Sequence, residues 1–519
     1  MSTSTRGLSS IARGLVQGSA LQGTLITLGL VLAAFIDRAT ATATGLVQPW
    51  IQGDFALSGD EAPAIQFSYY GGLYFGILLG PWLLARFGRP RYLALSVAIF
   101  GISTLFCAIS SSMPELAVYR VIQGMAEGGF FLGSLVTLFT NVPMSIVPLV
   151  ILVYAAVSQC GSALAPLLAG AVIENHSWRL LYLALAIAAL IAAGMITLSV
   201  GETPLDVKLR EGLRKKSIDR IGVFLLAVCI SAYCYLAAFG ELHDWLGNQD
   251  VAMVCVVFSL AVVAFVLWER FGTRVPIVPI DILTHRNALL GTALALAIGF
   301  PLFGISLHVS YMREVLNFPL QTAGATIALR AVALIVSAPL GSALTLKGVD
   351  SRLIIASGFA LSTLAFVWEA AGITSGSDFR TFVGPELLIG VGFGLTYGPL
   401  LVTVLSNLPF AQLPYAIAGM NLSYVAAGSF ANSWLVTVFD HRNAQHLSDL
   451  AATTTLANAA VSAAAQSHGS TGVAQLASVV GQQSAVLAFA DAALCAGAVV
   501  AIAVPFSLFL KRAQPIAPH

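Results

Sequence analysis

GPWLLARFGRPR at residues 80–91 and GSALTLKGVDSR at residues 341–352 decide how the chain is read. Each closes an apolar run, and the two align without a gap. Gly80 falls on Gly341, a Leu follows three positions later, a base six later (Arg86, Lys347) and an Arg eleven later (Arg91, Arg352). They lie about half a chain apart, the spacing of a protein built from two related halves. A second match keeps the same pairing. RVIQGMAEGG at 120–129 aligns with ELLIGVGFGL at 386–395, which sets Gly124 opposite Gly390, Gly128 opposite Gly394 and Arg120 opposite Glu386.

The runs around these motifs are long. Of 519 residues 58% are hydrophobic and 9% charged, with a mean hydropathy of +0.87, whereas a soluble domain carries roughly 25% charged residues. A soluble globular protein is excluded, because so few charges could not cover its surface. About 20 apolar residues cross a bilayer, and runs of that size predict an all-α membrane protein with about fourteen transmembrane helices. They start near Leu21, Ala64, Tyr92, Glu115, Ile146, Trp178, Ile221, Val251, Ala288, Thr322, Leu353, Arg380, Pro414 and Ser484. The repeat then implies two six-helix bundles, 1–200 and 288–519. Between them, 201–287 holds cytoplasmic linkers and an inserted helix pair, spans 7 and 8. An outer loop at 441–483, rich in Ala, Ser, Thr and Gln, is expected to form weak helices or stay partly disordered.

The 25 basic and 24 acidic residues nearly cancel, which leaves no basic excess for nucleic acid. Their placement is uneven. Only Arg179, Arg313, Arg380 and Arg442 fall in the loops of one side and three arginines fall inside spans; the other eighteen bases share the side of the N-terminus, which predicts both termini in the cytoplasm. Arg6 and Arg13 precede a run that continues past Asp37, so the first span is read as retained rather than cleaved. The six cysteines lie in apolar runs without paired or metal-ligand spacing, and no metal is expected.

An ionisable side chain inside a span costs several kcal/mol unless it faces a bundle interior or water. Arg120, Gln123 and Glu127 recur at helical spacing and form one polar stripe, with Gly124 beside them; Asp37, Thr40 and Thr44 repeat the device in span 1. A carboxyl in low dielectric holds its proton tightly, and a cation brought beside it releases that proton. Asp37, Arg120 and Glu127 are therefore the candidates for proton coupling. A permanent ion pair holding the bundle together is the plainer alternative. Arg38 points about 100° away from Asp37 along the helix and is expected to face another neighbour or the substrate. Arg38, Thr40, Thr44, Gln123, His308, Arg330 and Glu386, with the aromatic residues Tyr70, Tyr74, Tyr311, Tyr397 and Tyr424, are candidates for a substrate cavity, the tyrosines suiting flat or cationic ligands. Glu369 and Asp440 approach the outer interface, where solvation explains them.

In this order and at these spans the motifs resemble the fourteen-span drug:proton antiporter branch of the major facilitator superfamily. FID ending at Asp37 resembles that branch's span 1 acidic motif, 80–91 its signature loop and RVIQG at 120–124 its span 4 motif. GSALAPLLAG at 161–170, with Gly161, Pro166 and Gly170, is similar to its span 5 antiporter motif, and PIVPIDILTHRN at 276–287 to the linker after its inserted pair. The resemblance implies alternating access of a central site to the two membrane sides, with Asp37 and Arg120 matched to coupling residues and Gly80, Arg86, Gly88, Arg91, Gly124, Lys347 and Arg352 to gating and packing. The sequence departs from the pattern at Ala85, Ala165, Ala169 and Arg38.

No phosphate-binding loop occurs, since none of the five lysines follows a glycine. An ion gradient is the remaining energy source, and no cofactor and no catalytic residue is expected. The expected activity is proton-driven export of amphipathic, drug-like or toxic compounds across the plasma membrane, a bacterial inner membrane. Its partners are a small-molecule substrate, protons, the lipid bilayer and, by resemblance, a periplasmic adaptor docked on 441–483. The alternative on the same fold is transport of one metabolite, siderophore, lipid or organic acid. A membrane-embedded enzyme using His441, His446 and Asp449 is the reading from another class.

Overall fold

In a bilayer every backbone polar group must be satisfied within the chain, and a helix does so segment by segment. The computed structural model describes residues 20–59, 61–141, 147–173, 176–201, 207, 218–240, 242–243, 245–303, 305–406, 408–409, 412–455, 458, 461–463, 466 and 471–512. Among them no β-strand occurs. Arg6, Arg13 and most of the basic linker after Gly201 lie outside the described residues.

The first eight helices are α1 Ala20–Phe55, α2 Pro63–Phe87, α3 Arg89–Ile109, α4 Met113–Asn141, α5 Val147–Ile173, α6 Trp178–Ser199, α7 Arg220–Phe239 and α8 Gln249–Leu267. They are followed by α9 Arg286–Phe303, α10 Ile305–Glu314, α11 Leu320–Leu346, α12 Ser351–Gly372, α13 Phe379–Leu405, α14 Leu413–Thr453 and α15 Gly472–Leu508. α9 and α10 flank residue 304, which lies outside the described residues, and counting them as one span gives the predicted fourteen. Ten candidate spans among the described residues are long and apolar enough to cross a membrane. Side-chain N-caps start several helices where the sequence changes from loop to apolar run: Ser177, Asp219, Asn248, Asp350 and Asp378 each accept from a backbone N–H of the first turn.

Two units emerge. One comprises 1–282 with 410–422, the other 283–409 with 423–519. In the first, α2 packs on α4, α3 on α4 and α6, and α1 on α5 and α6; the inserted α7 pairs with α8 and lies against α2. In the second, α11 packs on α13, and α12 on α13 and α15. These are the same relations one repeat later.

Glycine makes the closest of these contacts, and here no other residue fits. A Cβ on Gly124 would stand 2.1 Å from the Tyr69 carbonyl oxygen, and one on Gly390 would stand 2.1 Å from that of Arg330. Gly128 meets Ile77 N at 2.5 Å and Gly394 meets Ala338 N at 2.7 Å. The offset that lays Gly80 on Gly341 also lays Tyr69 on Arg330 and Ile77 on Ala338, so both motif pairs occupy corresponding places. The signature loops also turn alike, on the left-handed glycines Gly88 (φ 81°) and Gly348 (φ 84°), shifted by one position in the alignment.

One segment differs from its reading. Within 441–483, α14 continues through Thr453 and α15 begins at Gly472, and much of the stretch between them lies outside the described residues. Its alanines are strong helix formers, and polar contacts tie the two extensions together. Asp491 accepts from Arg442 Nε at 2.5 Å and contacts His446 Nε2 at 2.8 Å, while Ser484 donates to Asn443 at 2.7 Å. His446 thus pairs with Asp491 rather than with Asp449.

Candidate functional site

In the first unit the spacing of Asp37, Thr40 and Thr44 on α1 puts all three on one face, and all three are buried. Thr40 donates to Ile36 O at 2.7 Å and Thr44 to Thr40 O at 2.8 Å, so the helix itself takes their protons. Thr44 Oγ1 also lies 2.6 Å from Tyr182 OH on α6. Its single proton being committed, Thr44 accepts there and Tyr182 donates.

Asp37 is 1% exposed and Glu127, on α4, 2%. Their carboxyls lie within electrostatic and hydrogen-bonding reach of each other. Asp37 Oδ1 and Glu127 Oε2 receive no hydrogen bond from another donor among the described residues. Two ionised carboxyls so placed would repel in low dielectric, whereas one proton shared between them satisfies both. Tyr154 on α5 borders the pair within electrostatic reach of both.

The cation beside Asp37 is Arg38, which corrects the expectation drawn from helix geometry. Adjacent Cα–Cβ bonds diverge, but the long arginine stem folds back and sets Nε 3.3 Å from Asp37 Oδ2, with the side chain 17% exposed. Arg120 sits apart from the acids. Its guanidinium donates to Gln123 Oε1 at 2.6 Å, Gln66 Oε1 at 3.4 Å and Ile65 O at 3.5 Å, and lies 4.3 Å over the Tyr69 ring. Gln123 in turn donates to Thr104 at 2.7 Å. Among the described residues no carboxylate forms an ion pair with Arg120, a fully buried cation held by neutral groups. Tyr70 and Tyr74 stack at 6.0 Å, and Tyr74 meets Tyr233 of the inserted α7 edge-on at 5.7 Å.

The second unit holds another buried cluster. Glu386 on α13 accepts from Arg330 Nε at 2.6 Å and Nη2 at 2.8 Å, a two-toothed pair, and Arg330 Nη1 donates to Pro301 O at the end of α9. His308 on α10 sets Nε2 3.0 Å from Glu369 Oε1 and 3.9 Å from Glu386 Oε1. The ligand-capable atoms of His308, Glu369 and Glu386 all lie within 4.8 Å of one another. Glu369 is 2% exposed, so it is buried among charges rather than solvated at the outer interface. Tyr397 stacks on Phe393 at 5.7 Å and meets Tyr424 at 5.9 Å, forming a separate aromatic group on α13 and α14.

The remaining motif residues serve packing and turns. Gly161 lets α5 approach α1 so closely that an added Cβ would stand 2.1 Å from Phe35 O, and Pro166 and Gly170 are buried on α5. Gly80 faces Leu132 and Tyr92. Arg86 ends α2, Lys347 follows α11, and Arg352 grips Asp350 with Nη2 at 2.6 Å and Nε at 3.0 Å. Arg91, near the start of α3, is exposed, whereas its neighbour Arg89 is 1% exposed and reaches Gly201 O at 3.4 Å.

Tyr154 and Glu369 belong to these clusters but were not candidates, whereas Tyr311, expected to line an aromatic cavity, stacks on Phe489 at 4.1 Å. Glu369 carried a usable signal, an acid inside an apolar run; Tyr154 carried none.

Helices that can cross a membrane, arranged in two halves that repeat each other's packing and bury charge among their spans, define a polytopic transporter. The chain belongs to the major facilitator superfamily, whose family model matches residues 30–432. It is 25% identical over 430 residues to the multidrug export protein EmrB of Escherichia coli K12, covering 82% of each chain. To the fatty acid resistance protein FarB of Neisseria gonorrhoeae it is 24% identical over 424 residues, covering 81% of this chain and 82% of the other. Its fold is also that of a bacterial homologue of the human lysosomal transporter Spinster, with a TM-score of 0.58 at 15% identity over 95% of this chain and 97% of that one.

Proposed function

We propose that the chain is a proton-coupled antiporter that exports amphipathic, drug-like compounds by alternating access. The observation that carries this reading is the facing pair Asp37 and Glu127, two buried carboxyls each with an oxygen that no other group satisfies. Such a pair takes up one proton readily and releases it when a cation approaches or water enters. Arg38, already on Asp37, is the cation at hand, and it keeps partial access to the surface. Arg120, positioned by Gln123, Gln66 and the Tyr69 ring, holds a positive potential nearby without neutralising either acid. The energy source is the proton gradient, and the reading calls for no cofactor.

Relatives are named for multidrug export and for fatty acid resistance, and the cargo this reading assigns to the chain is a molecule with an apolar body and a polar end. A buried Arg120 without an acidic partner favours a second reading, in which the polar end is an anion. Efflux of ethidium and of a fluorescent fatty acid from energised vesicles separates the two. If Asp37→Asn leaves proton-driven efflux unchanged, the coupling role of Asp37 fails.

The reading places the protein in a bacterial inner membrane with both termini in the cytoplasm. It also assigns the helical extensions of α14 and α15 to a periplasmic adaptor. Crosslinking from Leu447 and Val479, both exposed, tests that assignment; absence of any adduct with a co-expressed adaptor overturns it.

A further inference from the structure

The inserted helix pair ends on a wide turn. Thr273 N donates to Trp268 O at 3.1 Å, which closes α8 over Trp268–Gly272 with a turn one residue wider than an α-helical one, a form that recurs at functional sites. The chain then leaves as a linker towards α9. Two adjacent side chains of the turn hold that linker: Glu269 Oε2 accepts from Val278 N at 3.0 Å, and Arg270 pairs with Asp281. Their surroundings differ. Arg270 and Asp281 are exposed, so water screens their attraction, whereas Glu269 is 4% exposed.

Glu269 is buried beside a second acid. Asp219 caps α7, with Oδ1 accepting from Gly222 N at 2.9 Å and Oδ2 from Trp268 Nε1 at 2.7 Å, so both of its oxygens have donors. Glu269 Oε1 has none among the described residues. The two carboxyls converge over Gly222, where an added Cβ would stand 2.8 Å from Asp219 Oδ2 and 2.8 Å from Glu269 Oε1. Tyr415 of α14 also lies within electrostatic reach of Glu269. The titratable groups facing Glu269 are therefore Asp219 and Tyr415, and among the described residues no cation forms an ion pair with it. Asp219 further lines a surface cavity of about 580 Å³ together with Arg220, Thr273 and Arg274. That cavity gives water and protons a route to the pair.

An ionised Glu269 would set a second negative charge against Asp219 in the interior, where like charges and desolvation both disfavour it. One proton on Oε1 relieves this. It turns the oxygen without a donor into a donor facing Asp219, while Oε2 keeps Val278. We infer that Glu269 is a proton-binding site at the end of the inserted pair, and that its proton fastens the linker 273–282 to α8. When the proton leaves to water through the cavity, repulsion from Asp219 loosens the hold on Val278, and only the exposed Arg270–Asp281 pair remains. The docked linker favours the protonated carboxyl, so docking is complete in acid and is lost as pH rises.

Hydrogen–deuterium exchange of the full-length protein in phosphatidylglycerol–phosphatidylcholine vesicles, read by mass spectrometry on peptides containing Val278 over a pH series, tests this. Rates are taken relative to an unstructured peptide in the same buffers, which removes the rise with pH common to all amides. The wild type is expected to protect Val278 in acid and to lose that protection as pH rises. Glu269→Gln keeps the acceptor and offers Asp219 a permanent donor, so protection is expected to persist at every pH; Glu269→Ala is expected to lack it at every pH. Asp219→Asn keeps the cap and an acceptor for Trp268 but removes the like charge, and the loss with pH is expected to shrink. Wild-type protection that does not change with pH overturns the inference, as does a Glu269→Gln profile that still falls; either result makes Glu269 a fixed cap of the linker. The wild-type series decides by itself if the variants fail to fold, and it reads a backbone amide rather than the coupling role of Asp37 and Glu127.

Discussion

Tyr69 with Arg120 and Arg330 with Glu386 occupy corresponding places in the two halves, yet the first is a cation 4.3 Å over a ring and the second a two-toothed ion pair at 2.6 and 2.8 Å. The backbone contact beneath them is the same, a glycine so close to a carbonyl that an added Cβ would stand 2.1 Å from its oxygen. Identical helix packing therefore carries opposite electrostatics. In the N-terminal half the cation is left on neutral groups, and the acids gather elsewhere, at Asp37 and Glu127. In the C-terminal half each acid has a cationic or ionisable partner. One half buries two facing carboxyls apart from Arg120, the other sets its buried acids against Arg330 and His308.

The largest effect expected from breaking this contrast is on coupling. Asp37→Asn keeps the shape of the pair but removes the site of charge change, so pH-driven ethidium efflux in proteoliposomes is expected to fall to background while substrate binding persists. Glu127→Gln is expected to do the same. A variant that exports normally would show that the two carboxyls are a packing feature.

Stability should separate the halves next. Glu386→Ala strands Arg330 in the interior, and losing one member of a buried pair costs about 3–5 kcal/mol. Arg120→Met strands no charge. It leaves Gln123 and Gln66 short of a donor, for about 1–3 kcal/mol. Unfolding in detergent followed by circular dichroism measures both, and equal losses would mean that Arg120 has an acidic partner in the working protein. The underlying packing should instead respond alike. Gly124→Ala and Gly390→Ala each drive a methyl into a carbonyl at the same distance, and overpacking of this kind costs about 1–3 kcal/mol. If only one is tolerated, the two halves are not packed as equivalents.

Helix number and order were legible because charge and proline stand out against apolar runs. Predicted starts such as Ala64, Trp178 and Ile221 fall within one residue of Pro63, Trp178 and Arg220. The glycine pairs were legible too, since the repeat carried them. Pairing between charges was not. Which acid meets which base depends on the rotation of each helix and the reach of each side chain, and neither is written in the spacing. Arg38 was expected to turn away from Asp37 and folds back onto it. Glu369 was read as solvated because it lies near the end of its span, yet the packing of α10 against α11 brings His308 to it.

The smallest effect is expected at the turn where the repeat was first seen. Asp350 caps α12 by accepting from Arg352 N at 3.1 Å, and the Arg352 side chain holds its carboxyl below the usual carboxylate range, chiefly through hydrogen bonds to both oxygens. A folded value lower than the unfolded one stabilises the protein above an unfolded pKa of about 3.9, and the gain disappears as pH falls through the folded value. Arg352→Gln should therefore lower the unfolding midpoint slightly near neutral pH and not at all in strong acid. The difference should be small because the pair lies at the surface, with the Arg352 side chain 37% exposed, and water screens it. The matching place in the first loop, two residues before Arg91, holds Arg89 instead of an acid, so Arg91→Gln should show no such acid dependence. If both variants behave alike, the two turns are held by the same force despite their different sequences, and the Asp350 cap is incidental to the second.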